Sequence, residues 1–95
     1  SNEVREAYLT CPSCGEKESL WWAWQVVKTW KRNGEVRGRI RARGLCVACG
    51  WITEGEDSCT VRPVSSWSKT PDAAAFRIYE KIRVKRDRAM LEGCL

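Results

Sequence analysis

Between residues 20 and 45 apolar and polar positions alternate at the two-residue period of strands with one covered face. Residues 20–32 read Leu-Trp-Trp-Ala-Trp-Gln-Val-Val-Lys-Thr-Trp-Lys-Arg, rich in aromatic and β-branched types, and 35–45 continue with Val, Ile and Arg. Asn33-Gly34 lies between them. Both central positions of a type I′ turn need positive φ, so the two runs predict one long β-hairpin. Counting outward from that turn gives two faces. One carries Trp30 with Arg37, Lys28 with Arg39, Val26 with Arg41, Trp24 with Arg43 and Trp22 with Leu45. The other carries Lys31 with Val36, Thr29 with Gly38, Val27 with Ile40, Gln25 with Ala42 and Ala23 with Gly44. The second face is small and apolar, suited to packing; the first interleaves tryptophan with arginine. A slip of one residue would exchange the faces, so this division depends on the turn.

Beyond the hairpin, Gly50-Trp51-Ile52-Thr53 opens a third strand. Thr60-Val61-Arg62-Pro63-Val64 reads as a fourth, which Pro63 confines to an edge. Residues 1–10 read as a tail or short segment, 54–57 as an acidic loop and 65–70 as a linker. Thr70-Pro71-Asp72 has the N-cap, first-turn proline and acid of a helix start. Ala75, Ile78, Tyr79, Ile82 and Ala89 then form an apolar stripe flanked by Phe76 and Met90, and Gly93 ends the run. Residues 71–92 are therefore predicted to be a basic amphipathic helix. The expected fold is small α+β: an antiparallel sheet of three to four strands over 11–64, followed by a C-terminal α-helix.

A chain of 95 residues allows one domain whose apolar core alone is marginal. There is no histidine. That excludes His-based acid/base chemistry, Ser-His-Asp and Cys-His triads, and any metal site with a His ligand. No apolar run is long enough to span a bilayer and no signal-peptide pattern opens the chain, so a soluble protein is expected and no membrane partner. The net charge is +5, from 17 Lys+Arg against 12 Asp+Glu. Its placement says more than its size. Residues 28–43 carry Lys28, Lys31, Arg32, Arg37, Arg39, Arg41 and Arg43 against Glu35 alone. Residues 77–88 hold Arg77, Lys81, Arg83, Lys85, Arg86 and Arg88 against Glu80 and Asp87. Such clustering points to a polyanion-facing side; the plainer alternative is two solvated faces.

Six cysteines are present, and four of them form two Cys-x-x-Cys pairs, Cys11-Pro12-Ser13-Cys14-Gly15 and Cys46-Val47-Ala48-Cys49-Gly50. A two-residue spacer lets one tight turn present two thiolates, and a following glycine accepts the left-handed conformation that turn requires. Two such knuckles can close on one tetrahedral ion if the intervening hairpin brings the chain back. The reading is one structural Zn²⁺ held by Cys11, Cys14, Cys46 and Cys49. Paired Cys-x-x-Cys units make poor disulfide frameworks, and no thioredoxin-like unit surrounds either of them. Cys59 is open between packing and ligation, and Cys94 reads as free. Free thiols beside such a site imply a reducing compartment, the cytoplasm.

These knuckles with the hairpin between them and Trp51 after them resemble the zinc-ribbon superfamily of transcription factors, polymerase subunits, primases and phage regulators. The resemblance covers about residues 9–64 and implies the same four ligands. Transcript-cleavage members place an Asp-Glu pair at the hairpin tip, where this chain has Lys31-Arg32-Asn33-Gly34-Glu35, so that activity is not implied. The expectation is a non-enzymatic nucleic-acid-binding protein, a transcription or replication accessory of phage type, with DNA placed ahead of RNA. Trp24 and Trp30 would stack, and Lys28, Arg32, Arg37, Arg39, Arg41 and Arg43, with Lys81, Lys85 and Arg88 of the helix, would meet phosphate. The alternative is an adaptor or inhibitor docking on RNA polymerase or another host enzyme, since Trp and Arg also anchor protein interfaces.

Overall fold

The turn at Asn33-Gly34 takes positive φ at both residues, 51° and 80°, and folds the long hairpin back as its sequence predicts. In the computed structural model, which describes residues 4–61 and 71–93, four antiparallel strands run in the order β1 (Arg5–Leu9), β2 (Leu20–Arg32), β3 (Glu35–Cys46) and β4 (Ile52–Thr60). A single helix, α1 (Pro71–Leu91), follows. The small α+β class is therefore as expected. The expected 65–70 linker, the Thr70 cap, Pro63 and Cys94 lie outside the described residues.

Two segments differ from the sequence reading. Residues 5–9 are a full edge strand paired with Leu20–Trp24, not a tail. Glu54, Gly55, Glu56 and Asp57 are not a loop but the middle of β4, which runs unbroken against β3 from Ile52 to Thr60. Thr60 therefore ends this strand and does not open the separate strand expected over 60–64, of which residues 62–64 lie outside the described residues. Neither stretch has the β-branched composition that marks strands in isolation. Pairing with a neighbour decides them.

The hairpin register holds from the turn as far as Lys28–Arg39, then shifts by one residue at a bulge between Val26 and Lys28. Below the bulge Val26 pairs with Ile40, Trp24 with Ala42, Trp22 with Gly44 and Leu20 with Cys46. A bulge puts two residues of one strand opposite one of the other, so the parity of the pairing changes there. The faces written from the turn are thus correct near the tip and exchanged near the base.

α1 lies across the face made by Leu20, Trp22, Trp24, Ile40 and Ala42, and with Ala74, Ala75 and Ile78 it completes one core. Tyr79 meets the Trp22 ring edge-on at 5.8 Å and Phe76 meets Trp24 at 5.4 Å. Trp24 Nε1 donates to Asp72 Oδ1 at 3.0 Å, and Arg5 pairs with the same carboxylate at 3.1 Å, which fixes the helix start to two strands. Gly55 is the seat of the helix. A Cβ there would stand 2.6 Å from Ile78 Cγ2, a branch atom next to the helix backbone. Gly55→Ala is expected to lower stability by about 1–3 kcal/mol, the usual cost of overpacking, read as a lower urea midpoint at unchanged slope. A midpoint equal to the parent's would mean that α1 is not seated on β4 as described.

Candidate functional site

The β1–β2 and β3–β4 connections leave the same end of the sheet, because the β2–β3 turn occupies the other. Each connection is a knuckle, and the two are built alike. Gly15 N–H donates to Cys11 O at 2.8 Å and Gly50 N–H to Cys46 O at 2.9 Å. Ser13 N–H reaches Cys11 Sγ at 3.3 Å, and Ala48 N–H reaches Cys46 Sγ at 3.4 Å. Gly15 and Gly50 have φ of 77° and 80°, the left-handed conformation expected after the second cysteine of each pair. Backbone bonds lock the loops together, with Val47 N–H donating to Ser19 O at 2.9 Å.

The four sulfurs of Cys11, Cys14, Cys46 and Cys49 all lie within 4.8 Å of one another. Cys11 and Cys49 Sγ are 3.9 Å apart, and Cys14 and Cys46 Sγ 3.7 Å. Four thiolates at about 2.3 Å from a tetrahedral ion would be spaced by about 3.8 Å. These separations fit an ion and are far too long for disulfide bonds. Cys11 and Cys46 are buried, Cys14 and Cys49 exposed. Burial raises the Cys11 thiol to about 11, against the opposing amides of Cys14 and Ser13. Burial would raise Cys46 too, but hydrogen bonds with Ser19 and with the Cys49 and Ala48 amides outweigh it and bring that thiol down to about 6. Cys59 is no ligand. It is buried opposite Gly38, near the other end of the sheet, where burial raises its pKa.

Comparison with models of protein families, with curated proteins and with solved structures finds no match for this chain. The chain holds a four-cysteine cluster able to bind a metal ion. That much rests on the sulfurs themselves.

The sheet face turned away from α1 carries the arginines of β3. Arg39, Arg41 and Arg43 are exposed there and Arg37 is half-buried, as alternation requires. Near the base β4 answers them with acids: Glu54 stands opposite Arg43 and Glu56 opposite Arg41. Arg41 pairs with Glu56 at 3.4 Å, and Arg39 reaches the same carboxylate at 3.9 Å. Toward the tip Lys28 faces Arg39, half-buried Trp30 faces Arg37, and Arg32 faces Glu35. Arg37 also donates to Thr60 Oγ1 at 3.2 Å.

Trp24 does not belong to this face. It is 5% exposed, sealed under Phe76, and Trp22 is 0% exposed, so neither is free to stack on a base. The expected stacking role of Trp24 does not hold. The signal against it was present in the sequence. Apolar residues take even numbers in both strands, at Leu20, Trp22, Trp24 and Val26 and again at Ile40, Ala42, Gly44 and Cys46. A two-residue turn pairs even with odd, so both apolar sets can share one core only if a bulge intervenes.

Lys81, Lys85 and Arg88 are expected from the sequence to meet phosphate together with the hairpin arginines. All three are exposed on α1, but α1 covers the opposite side of the sheet. A straight polyanion lying on one set does not reach the other. What sequence reasoning missed is an apolar row at the knuckle end of the arginine face: Tyr8, Trp21, Leu45 and Ile52, paired across all four strands. Ile52 is 74% exposed and Tyr8 55%. No helix among the described residues is long and apolar enough to cross a membrane.

Proposed function

We propose that the chain is a nucleic-acid-binding module of zinc-ribbon type, an accessory of transcription or replication without a catalytic role, in which one structural Zn²⁺ on the four cysteines fixes the hairpin. Zinc is the ion that four thiolates at tetrahedral spacing suit best, and a closed four-sulfur site leaves no position for a substrate. The observation that carries the reading is the distal arginine face. Lys28, Arg32 and Arg37 flank Trp30 with Arg39 beside them, and Arg39 is the one of these that reaches an acid of β4, Glu56 at 3.9 Å. Guanidinium and ammonium groups neutralise phosphate, and the indole offers a plane to a base. Arg41 and Arg43 are placed behind them, because each stands directly opposite a glutamate, Glu56 and Glu54.

Fluorescence anisotropy with labelled duplex and single-stranded DNA tests the proposal. Four phosphate contacts imply a loss of about 100-fold in affinity between 50 and 200 mM salt. Absence of binding at the lower salt would reject it. The Tyr8–Trp21–Leu45–Ile52 row supports a second reading, a protein-docking module, since contiguous exposed apolar rows mark interaction sites. In that case Ile52→Arg abolishes capture of the partner and leaves any DNA affinity unchanged.

A further inference from the structure

Arg86 of α1 touches the first metal-site knuckle and Trp51, the residue immediately after the second. Its guanidinium lies 4.8 Å from the centre of the Trp51 ring, two residues past Cys49. The same group donates to Ser13 Oγ at 3.1 Å, between Cys11 and Cys14. Its Nε is buried and has no hydrogen-bond partner among the described residues. Two turns earlier on the same helix face, Tyr79 O–H donates to the Thr10 carbonyl at 2.6 Å, immediately before Cys11. The amino-terminal half of α1 is seated differently, through Ala74, Ala75 and Ile78 in the core. Beyond Arg86 the apolar residues Met90 and Leu91 face solvent.

We infer that Arg86 is a positioning residue for the metal centre, clamping the two knuckles against each other and coupling the second half of α1 to metal occupancy. The inference rests on the reading of the four cysteines as a metal site, and adds to it a residue from outside both knuckles. A cysteine pair holds an ion well only when its loop is held still. Partners outside the ligand shell commonly account for about 10–100-fold in metal affinity. A planar guanidinium suits this place: it stacks on an indole and donates in its own plane at the same time. Its charge also offsets part of the net charge of about −2 that four thiolates and one divalent ion carry. Coupling is reciprocal, so what steadies the loops also holds the helix.

The test uses the full chain loaded with Zn²⁺, competed against a chromophoric chelator, for the parent, R86L, R86K, R86Q and S13A. R86Q and R86L are expected to bind zinc at least about tenfold more weakly. R86K recovers part of the loss, and S13A shows a smaller loss in the same direction. Hydrogen exchange on zinc-loaded R86Q is expected to quicken in residues 82–91 and in both knuckles, while Ala73–Ile78 stays protected. S13A keeps the test decisive even if the Arg86 variants fold poorly, because it removes one hydroxyl only. Parental zinc affinity in R86Q and S13A overturns the inference, as does equal affinity of R86K and R86L, which would reduce Arg86 to packing. A parent chain that takes up no zinc at all overturns the metal centre itself, and the clamp with it.

Discussion

Replacing Cys46 with serine is expected to leave the chain without a cooperative fold at 25 °C. Cys46 is a buried member of the four-cysteine cluster, and its sulfur gathers three neighbours, the Ala48 and Cys49 amides and the Ser19 hydroxyl. Structural zinc contributes about 10–16 kcal/mol of apparent binding free energy in zinc-finger peptides. A domain of this size is stable by about 5–15 kcal/mol in total. Loss of a zinc ion held there would therefore remove as much as the whole margin. The near-ultraviolet circular dichroism of Trp22 and Trp24 should collapse in this variant, and in the parent after treatment with a strong chelator. Cys14→Ser should be milder, because Cys14 is exposed and three thiolates remain. Elemental analysis of the parent should give one zinc per chain. A chelated parent that keeps its thermal midpoint would show that the sheet and helix stand without the ion.

The second large effect is on nucleic-acid affinity. The triple variant K28Q/R37Q/R39Q is expected to lose at least about 100-fold in DNA affinity at 50 mM salt, with the salt slope reduced by about 3. The paired variant R41Q/R43Q should stay within about threefold of the parent, since each of these arginines stands opposite a carboxylate, Glu56 or Glu54, that offsets its charge toward phosphate. The contrast between these two variants is what tests the assignment. Equal losses in both would return the whole arginine row to the interface, and an unchanged triple variant would remove the tip from it. Arg37 donates to buried Thr60, so the thermal midpoint of the triple variant must be checked first. A drop in affinity without a drop in midpoint is the expected result.

Local chemistry was legible in the sequence, and pairing across strands was not. The knuckles are each written in five consecutive residues and closed as read, down to the positive φ of Gly15 and Gly50. The hairpin turn and the helix start at Pro71 are equally local. Three of the five residues of the edge strand Arg5–Leu9 are charged or small, and the strand gains its conformation from Leu20–Trp24. The acids of β4 gain theirs from the arginines opposite. The bulge at Val27 has no residue signature of its own, since two adjacent valines suit a regular strand equally well. Only the shared even numbering of the two apolar sets reveals it, and that is a property of both strands together. For the same reason the composition of β2 alone does not separate Trp24, which belongs to the core, from the exposed residues of the strand.

β2 has 13 residues and β3 has 12, and the odd one is spent at the bulge. An uninterrupted ladder from the tip would bring Cys46 opposite Trp21, one step along the strand from its place beside Leu20. A displacement of about 3.3 Å exceeds anything four metal–sulfur bonds can absorb. An ion bound by the four cysteines would thus proofread the alignment of the hairpin from its far end: chains zipped in the wrong frame would not close the site, and uptake of metal would draw the population into the frame that buries the tryptophans.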